Sequence, residues 1–209
     1  MTNERVVEIP WALTELPQVG DILDVGSCDA SYLAVVHQPG RTLHCLDPRE
    51  RPQAMPPGAV FHRQNLIGNQ LPRHFFDAVL LVSTLEHIGL PAYGLAPFPR
   101  GDERAMAEVA PLLKAGAPAI LTVPAGQSKI TSQYRQYCPG DLGRLLAAWH
   151  WRARYWGFDG RVYVPITEAE VELYDYRDAR DGILGGAGAV AGVVAYSAAP
   201  PPPGSSGGL

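Results

Sequence analysis

The chain has 209 residues, enough for one substantial α/β domain and too few for two of ordinary size. Its 46% apolar and 18% charged residues are those of a core-forming protein, and a formal charge of −4 leaves no basic footprint for nucleic acid. Three cysteines (Cys28, Cys45, Cys138), an odd number without metal-ligand spacing, point to reduced thiols, no metal and a cytoplasmic protein. The charges between Met1 and Ile9 argue against a secretory leader, and no run reaches the length of a membrane span.

The apolar and aromatic segment 9–13, closed by Pro17 and Gly20, is expected either as a short helix over a ligand or as a plain sheet-covering element. Strands are expected at residues 21–25, 42–46, 59–62, 76–82 and 119–123, each rich in Val, Leu, Ile or Phe. The unbroken apolar run 78–82 suits a strand covered on both faces, as in a parallel sheet. A helix is expected from Asp102 to about Lys114, with Asp102 as its cap and Met106, Val109 and Leu113 on one face. Pro111 predicts a bend or early stop, and Gly116 an end. A second helix is expected over 141–149, with Leu142, Leu145 and Leu146 inward. Beyond it, 152–158 and 161–166 read as strands or as one long excursion, and 193–197 as a final strand after the glycine-rich stretch 182–192. Trp149, Trp151 and Trp156 belong to the core or to an interface, a homodimer surface included. The alternation predicts one domain over 1–199, built on a doubly wound, mostly parallel seven-stranded sheet, and a Pro/Gly/Ser tail at 200–209.

The most informative stretch joins the first expected strand to a turn, Asp24-Val25-Gly26-Ser27-Cys28-Asp29, with Asp47 ending the next strand. Open α/β sheets hold nucleosides this way: glycine admits close backbone approach, and the second carboxylate accepts from the ribose hydroxyls. A dinucleotide would need glycines spaced G-x-G-x-x-G under its pyrophosphate, whereas here Gly26 stands alone and Asp29 adds negative charge. A sulfonium amino acid tolerates nearby carboxylates, so the turn allows S-adenosyl-L-methionine.

Over roughly 21–124 the chain resembles a class I S-adenosylmethionine-dependent methyltransferase with a Rossmann-like fold. The resemblance rests on the 24–30 turn, Asp47, Gln64-Asn65-Leu66, the segment 76–88, Leu112-Leu113-Lys114-Ala115-Gly116 and Ile120-Leu121-Thr122-Val123-Pro124, in order and at family spacing. It implies cofactor contacts from Asp24, Gly26, Ser27, Asp47, Asn65, Leu66 and Ser83, with Asn65 near the adenine.

An acceptor would enter over the ends of the fourth and fifth strands, between the segments 83–87, 93–102 and 127–137. His87 is the expected general base, with Glu86 as a second catalytic candidate; both could instead only close the turn around the cofactor. Asp102, Tyr134 and Tyr137 are candidate acceptor contacts, Asp102 also reading as a helix cap and the tyrosines as packing. The glycine-, alanine- and proline-rich composition, with Ser83-Thr84-Leu85-Glu86-His87-Ile88-Gly89, further resembles gentamicin-type aminoglycoside N-methyltransferases, which implies a small-molecule acceptor, an amino sugar methylated on nitrogen in antibiotic biosynthesis. A sugar O-methyltransferase and a nucleoside-binding protein without catalysis are the alternatives.

Overall fold

The computed structural model describes residues 3–52, 55–177 and 185–197; the 200–209 tail lies outside them, as does part of the glycine-rich stretch. Among the described residues ten strands occur: β1 (Gly20–Val25), β2 (Arg41–Leu46), β3 (Val60–His62), β4 (Ala78–Val82), β5 (Pro118–Ala125), β6 (Lys129–Ile130), β7 (Arg135–Gln136), β8 (Trp149–Phe158), β9 (Tyr163–Ile166) and β10 (Ala189–Ser197). Eight of them form one sheet in the order β3-β2-β1-β4-β5-β10-β8-β9, and β6 and β7 form a separate hairpin. The pairs from β3 through β5 are parallel, while β10 runs antiparallel to both β5 and β8, and β8 antiparallel to β9.

The sheet therefore has eight strands rather than the expected seven, and three of them form an antiparallel flank. Chain length accounts for one of the antiparallel pairs, β8 with β9. A parallel pair needs a crossover of about a dozen residues or more, and a turn as short as the one between Phe158 and Tyr163 can join only antiparallel neighbours.

Helices α1 (Arg5–Glu15), α2 (Leu33–Val36), α3 (Gly101–Val109) and α4 (Pro139–Leu145) cover the two faces. On one face Trp11 and Ala12 of α1 join Leu33 and Val36 of α2 over Ile22, Leu43 and Leu80. Trp11 meets Trp156 edge-on at 5.7 Å and leaves room only for a glycine at 192, where a Cβ would lie 2.6 Å from its ring. The expected aromatic segment at 9–13 is thus the middle of α1. On the other face Ala105, Met106 and Val109 of α3, with Leu142 of α4, pack on Leu81, Leu121 and Val193. Trp149 and Trp151 are half-buried against this second cluster, so they belong to the core.

Both expected helices differ at their boundaries. Asp102 does not cap α3: that position belongs to Arg100, in the left-handed region at φ 53°, and Asp102 lies in the first turn. Backbone crossing sets this start, because a Cβ on Gly101 would lie 2.1 Å from the Ile88 carbonyl oxygen and 2.6 Å from Gly89 Cα. The helix ends at Val109, and Pro111 turns the chain through the 3-10 segment Ala110–Leu112, as its missing N–H requires. Helix α4 starts earlier than expected, at Pro139, since Cys138 and Asp141 form a reciprocal capping box there; Trp149 accordingly opens β8.

The connection from β1 to β2 contains only the 3-10 turn Ser27–Asp29 and the single turn of α2. No long helix therefore begins at the first turn. No helix among the described residues is long and apolar enough to cross a membrane, and no group of three or more His, Cys, Asp or Glu among them could hold a metal.

The Gly101 crossing fixes the 88–100 loop against α3, so Gly101→Ala should lower unfolding stability by about 1–3 kcal/mol in urea titration. Gly143→Ala, in α4 with open space around the added Cβ, should instead raise it by roughly 0.5–1 kcal/mol.

Candidate functional site

The carboxyl ends of β1, β2 and β4 open onto a cavity of about 450 Å³, in the range of small-molecule sites. Gly26, Asp47, Asn65, Leu66, Ser83 and His87 all line it, so six of the expected site residues meet there. Ile88, Ala92, Leu95 and Phe98 of the loop before α3 supply an apolar wall, and Arg5, Arg49 and Arg104 add cationic groups.

Gly26 follows β1 in the left-handed region, φ 83°, where a side chain would be strained. A Cβ there would also lie 2.6 Å from Thr84 Oγ1 and 2.7 Å from Thr84 Cγ2. The glycine thus admits Thr84 of the turn after β4, whose hydroxyl donates to the Val25 carbonyl at 3.0 Å. Asp24 and Ser27 lie beneath this turn, fully buried, and do not line the cavity. Ser27 Oγ donates to the Asp24 carbonyl at 2.8 Å. Tyr32 donates to Asp24 Oδ1 at 2.7 Å and leaves Oδ2 without a hydrogen-bond partner. Burial pushes the Asp24 carboxyl up to about 6, against the opposing bond from Tyr32.

Asp47, at the end of β2, is only 1% exposed. Its Oδ1 accepts from the backbone N–H and Nε of Arg49, each at 3.0 Å, and its Oδ2 accepts from Arg49 Nη2 and the Cys28 N–H, each at 3.0 Å. Burial works to raise this carboxyl, but the Arg49 and Cys28 donors outweigh it and hold it below the usual range. Arg49 reaches on to Asp29 Oδ2 at 2.7 Å and lies 4.9 Å over the Tyr93 ring. Arg49 belongs to no motif of the sequence; its one local signal is a guanidinium two residues after the carboxylate at the end of β2.

Under Ser83 lies a second acidic group. Ser83, at φ 44°, donates through Oγ to Glu8 Oε2 at 2.8 Å, and Thr122 Oγ1 donates to the same oxygen at 2.9 Å. Glu8 is fully buried in α1 and pairs with Arg5 Nη1 at 2.9 Å. Helix α1 therefore reaches the cavity through Arg5 while Glu8 anchors it below. Glu86 is buried beside them, absent from the cavity lining, with Oε2 unpartnered; burial first, and Glu8 second, raise its carboxyl well above the usual range and favour the neutral acid.

His87 does face the cavity. Its Nδ1 lies 2.5 Å from the Gln133 carbonyl oxygen, which can only accept, so Nδ1 carries the proton and Nε2 keeps its lone pair. Burial lowers the imidazole below its ordinary value, with the Gln133 bond opposing, so the ring is neutral at pH 7. Glu86 Oε1 lies 3.6 Å from Nε2, beyond hydrogen-bond reach, and Tyr93 meets the ring edge-on at 5.2 Å.

The segment 127–137 is not a wall of the cavity. It folds into the β6–β7 hairpin behind His87 and acts on the cavity through the Gln133 carbonyl. Asp102, Tyr134 and Tyr137 accordingly do not line the cavity. Asp102 lies 3.5 Å from Arg135 Nε and accepts from the Tyr137 hydroxyl at 3.1 Å. Tyr134 stacks on Tyr176 at 4.2 Å. Arg135 closes this cluster by donating to the Ile88 carbonyl at 2.8 Å, which ties the hairpin to the turn after β4.

The family described as "Caenorhabditis protein of unknown function, DUF268" matches residues 68–173. No curated protein matches the chain. Among solved structures, the 1,6-didemethyltoxoflavin-N1-methyltransferase of Burkholderia thailandensis, with S-adenosylhomocysteine and 1,6-didemethyltoxoflavin bound, is similar with a TM-score of 0.61 at 14% identity, over 91% of this chain and 79% of that one. A SAM-dependent methyltransferase from Archaeoglobus fulgidus gives 0.61 at 12% identity, over 90% of each chain. The [4+2]-cyclase SpnF gives 0.51 at 17% identity, over 71% of this chain and 58% of that one. The shared feature is the Rossmann-like α/β methyltransferase fold.

The folded chain holds the Asp24 proton more tightly than the unfolded chain does, so this group's contribution is favourable at low pH and fades as pH rises from 3.8 through about 6. The stability of Asp24→Asn relative to wild type should therefore climb by on the order of 3 kcal/mol between pH 3.5 and pH 8 in urea unfolding. A pH-independent difference would mean that Asp24 titrates normally.

Proposed function

The chain belongs to the DUF268 family, and we propose that it is an S-adenosylmethionine-dependent methyltransferase acting on a polar small molecule. The observation that carries this reading is the cavity at the carboxyl ends of parallel strands, with the left-handed Gly26 turn on one side and the Asp47 carboxylate on the other. Supporting it are the methyltransferases that share the fold, one of them solved with S-adenosylhomocysteine.

The residues present suit that cofactor. Asp47 would accept from the ribose hydroxyls, Asn65 and Leu66 would flank the adenine, and Gly26 and Ser83 would border the amino-acid portion. Asp24 and Ser27 would act from below, by holding the turn. Bound S-adenosylmethionine supplies a methyl group to a nucleophile that approaches opposite the sulfur. The chain's own tasks are then alignment and exclusion of water, for which Ile88, Leu95 and Phe98 form the apolar wall.

In this reading His87 is the general base. Its ring lines the cavity, is neutral and keeps a lone pair on Nε2, which would accept the proton that the acceptor's N–H or O–H gives up as methyl transfer proceeds. Glu86 is a positioning residue beneath the turn. Asp102, Tyr134 and Tyr137 would act on an acceptor through Arg135 and the hairpin rather than by touching it. An amino sugar methylated on nitrogen is the first acceptor to test, on the strength of the narrower sequence resemblance, with sugar hydroxyls second.

The fold also serves a [4+2]-cyclase, and the Asp47 oxygens are already engaged by Arg49; together these favour, as a second reading, a nucleoside-binding protein with other chemistry or none. Calorimetry with S-adenosylmethionine, followed by an assay for S-adenosylhomocysteine release over amino sugars and neutral sugars, separates the two. Binding without release on any acceptor would favour the second.

Asp47→Ala should weaken S-adenosylhomocysteine binding at least about tenfold by calorimetry, as expected for loss of a charge-assisted bond to the ribose. His87→Ala should leave binding intact and lower turnover by about 10²–10⁴. The wild-type rate should rise with pH through an apparent value below the ordinary 6.5 of histidine, because only the neutral ring accepts a proton; this limb should vanish in His87→Ala.

A further inference from the structure

A carboxylate offers about four lone-pair sites, and Asp47 has all four filled by protein donors, three of them from Arg49. A ribose diol has no acceptor left there. The Cys28 and Arg49 backbone N–H groups are fixed by the turn and the strand end, but the Arg49 guanidinium is a side chain, lines the cavity and is 31% exposed. It also has somewhere to go. Nη1 already pairs with Asp29, a 63% exposed carboxylate, and the guanidinium already lies over the Tyr93 face.

We propose that Arg49 is a displaceable occupant of the ribose site: its fork stands in for the two sugar hydroxyls, and a ribose diol engages Asp47 only as Arg49 releases it and stays held by Asp29 and Tyr93, whereas a sugar without the diol leaves Arg49 on Asp47. The inference rests on the nucleoside-binding reading above and adds a specificity-determining residue to it. The exchange has a direction that the geometry explains. Asp47 is nearly fully buried and needs donors at all times, so a free carboxylate there would be costly. Arg49 supplies those donors when no sugar does. Only a ligand that returns two hydroxyls in the same positions recovers the cost of moving Arg49, which penalises ligands without a vicinal diol. Because Tyr93 belongs to the loop that walls the cavity and also meets His87, movement of Arg49 is felt where an acceptor would sit.

The test is calorimetry on the full chain with S-adenosylhomocysteine, adenosine and 2′,3′-dideoxyadenosine, using wild type, Arg49→Ala and Arg49→Gln. Arg49→Gln keeps a stem against Tyr93, loses the fork, and guards against misfolding of the alanine variant. Both substitutions should tighten S-adenosylhomocysteine and adenosine about tenfold and change dideoxyadenosine less than about twofold. On an Asp47→Ala background, Arg49→Ala should have no further effect. Weaker binding in the Arg49 variants would overturn the proposal by making Arg49 a ligand contact. Equal tightening of all three ligands would overturn it by making Arg49 a steric plug without diol selectivity. Failure of every variant and the wild type to bind any of the three would overturn the nucleoside reading itself, and is distinct from both.

Discussion

Thr84 packs directly on Gly26, and this contact sets how closely the ends of β1 and β4 approach. A Cβ at Gly26 would overlap Thr84, and the φ of 83° would strain any other residue, so two constraints fall on one position. From this point the first turn sinks low enough for the Cys28 N–H to reach Asp47, while the second carries Ser83 over Glu8 and His87 towards the cavity. The floor of the site thus comes from backbone turns that lock each other, and the side chains follow.

The charge arrangement continues this pattern. Asp24, Glu8 and Glu86 are all buried around the floor, and burial works to raise each of them. Asp47 is the exception, because four N–H donors keep it ionised in nearly the same degree of burial. One carboxylate is therefore held as an anion at the cavity surface, while those beneath it lean toward their neutral forms. The arginines at the rim, Arg5 on Glu8 and Arg49 on Asp47 and Asp29, balance what charge remains.

The hairpin after β5 plays its part at a distance. Its Gln133 carbonyl selects the His87 tautomer and its Arg135 ties Asp102 to the Ile88 carbonyl, so residues that never touch the cavity decide what its imidazole can do. A single hydrogen bond of this kind converts an ambiguous histidine into one with a defined lone pair.

Local sequence determined the five parallel strands to within a few residues, the bend at Pro111, and six residues that converge on the cavity: Gly26, Asp47, Asn65, Leu66, Ser83 and His87. These were legible because they depend on unbroken apolar runs, on proline's missing N–H and on turns that follow their own strand. The antiparallel pairing of the last three strands, the backbone start of α3 at Gly101, the withdrawal of Asp102, Tyr134 and Tyr137 from the cavity, and the Arg49 fork on Asp47 came only with the tertiary structure. Each of these depends on contacts between segments far apart in sequence or on where a long side chain finally points. Periodicity and spacing carry no record of either, because a hydrogen bond to a distant carbonyl or carboxylate exists only once packing has brought the two together.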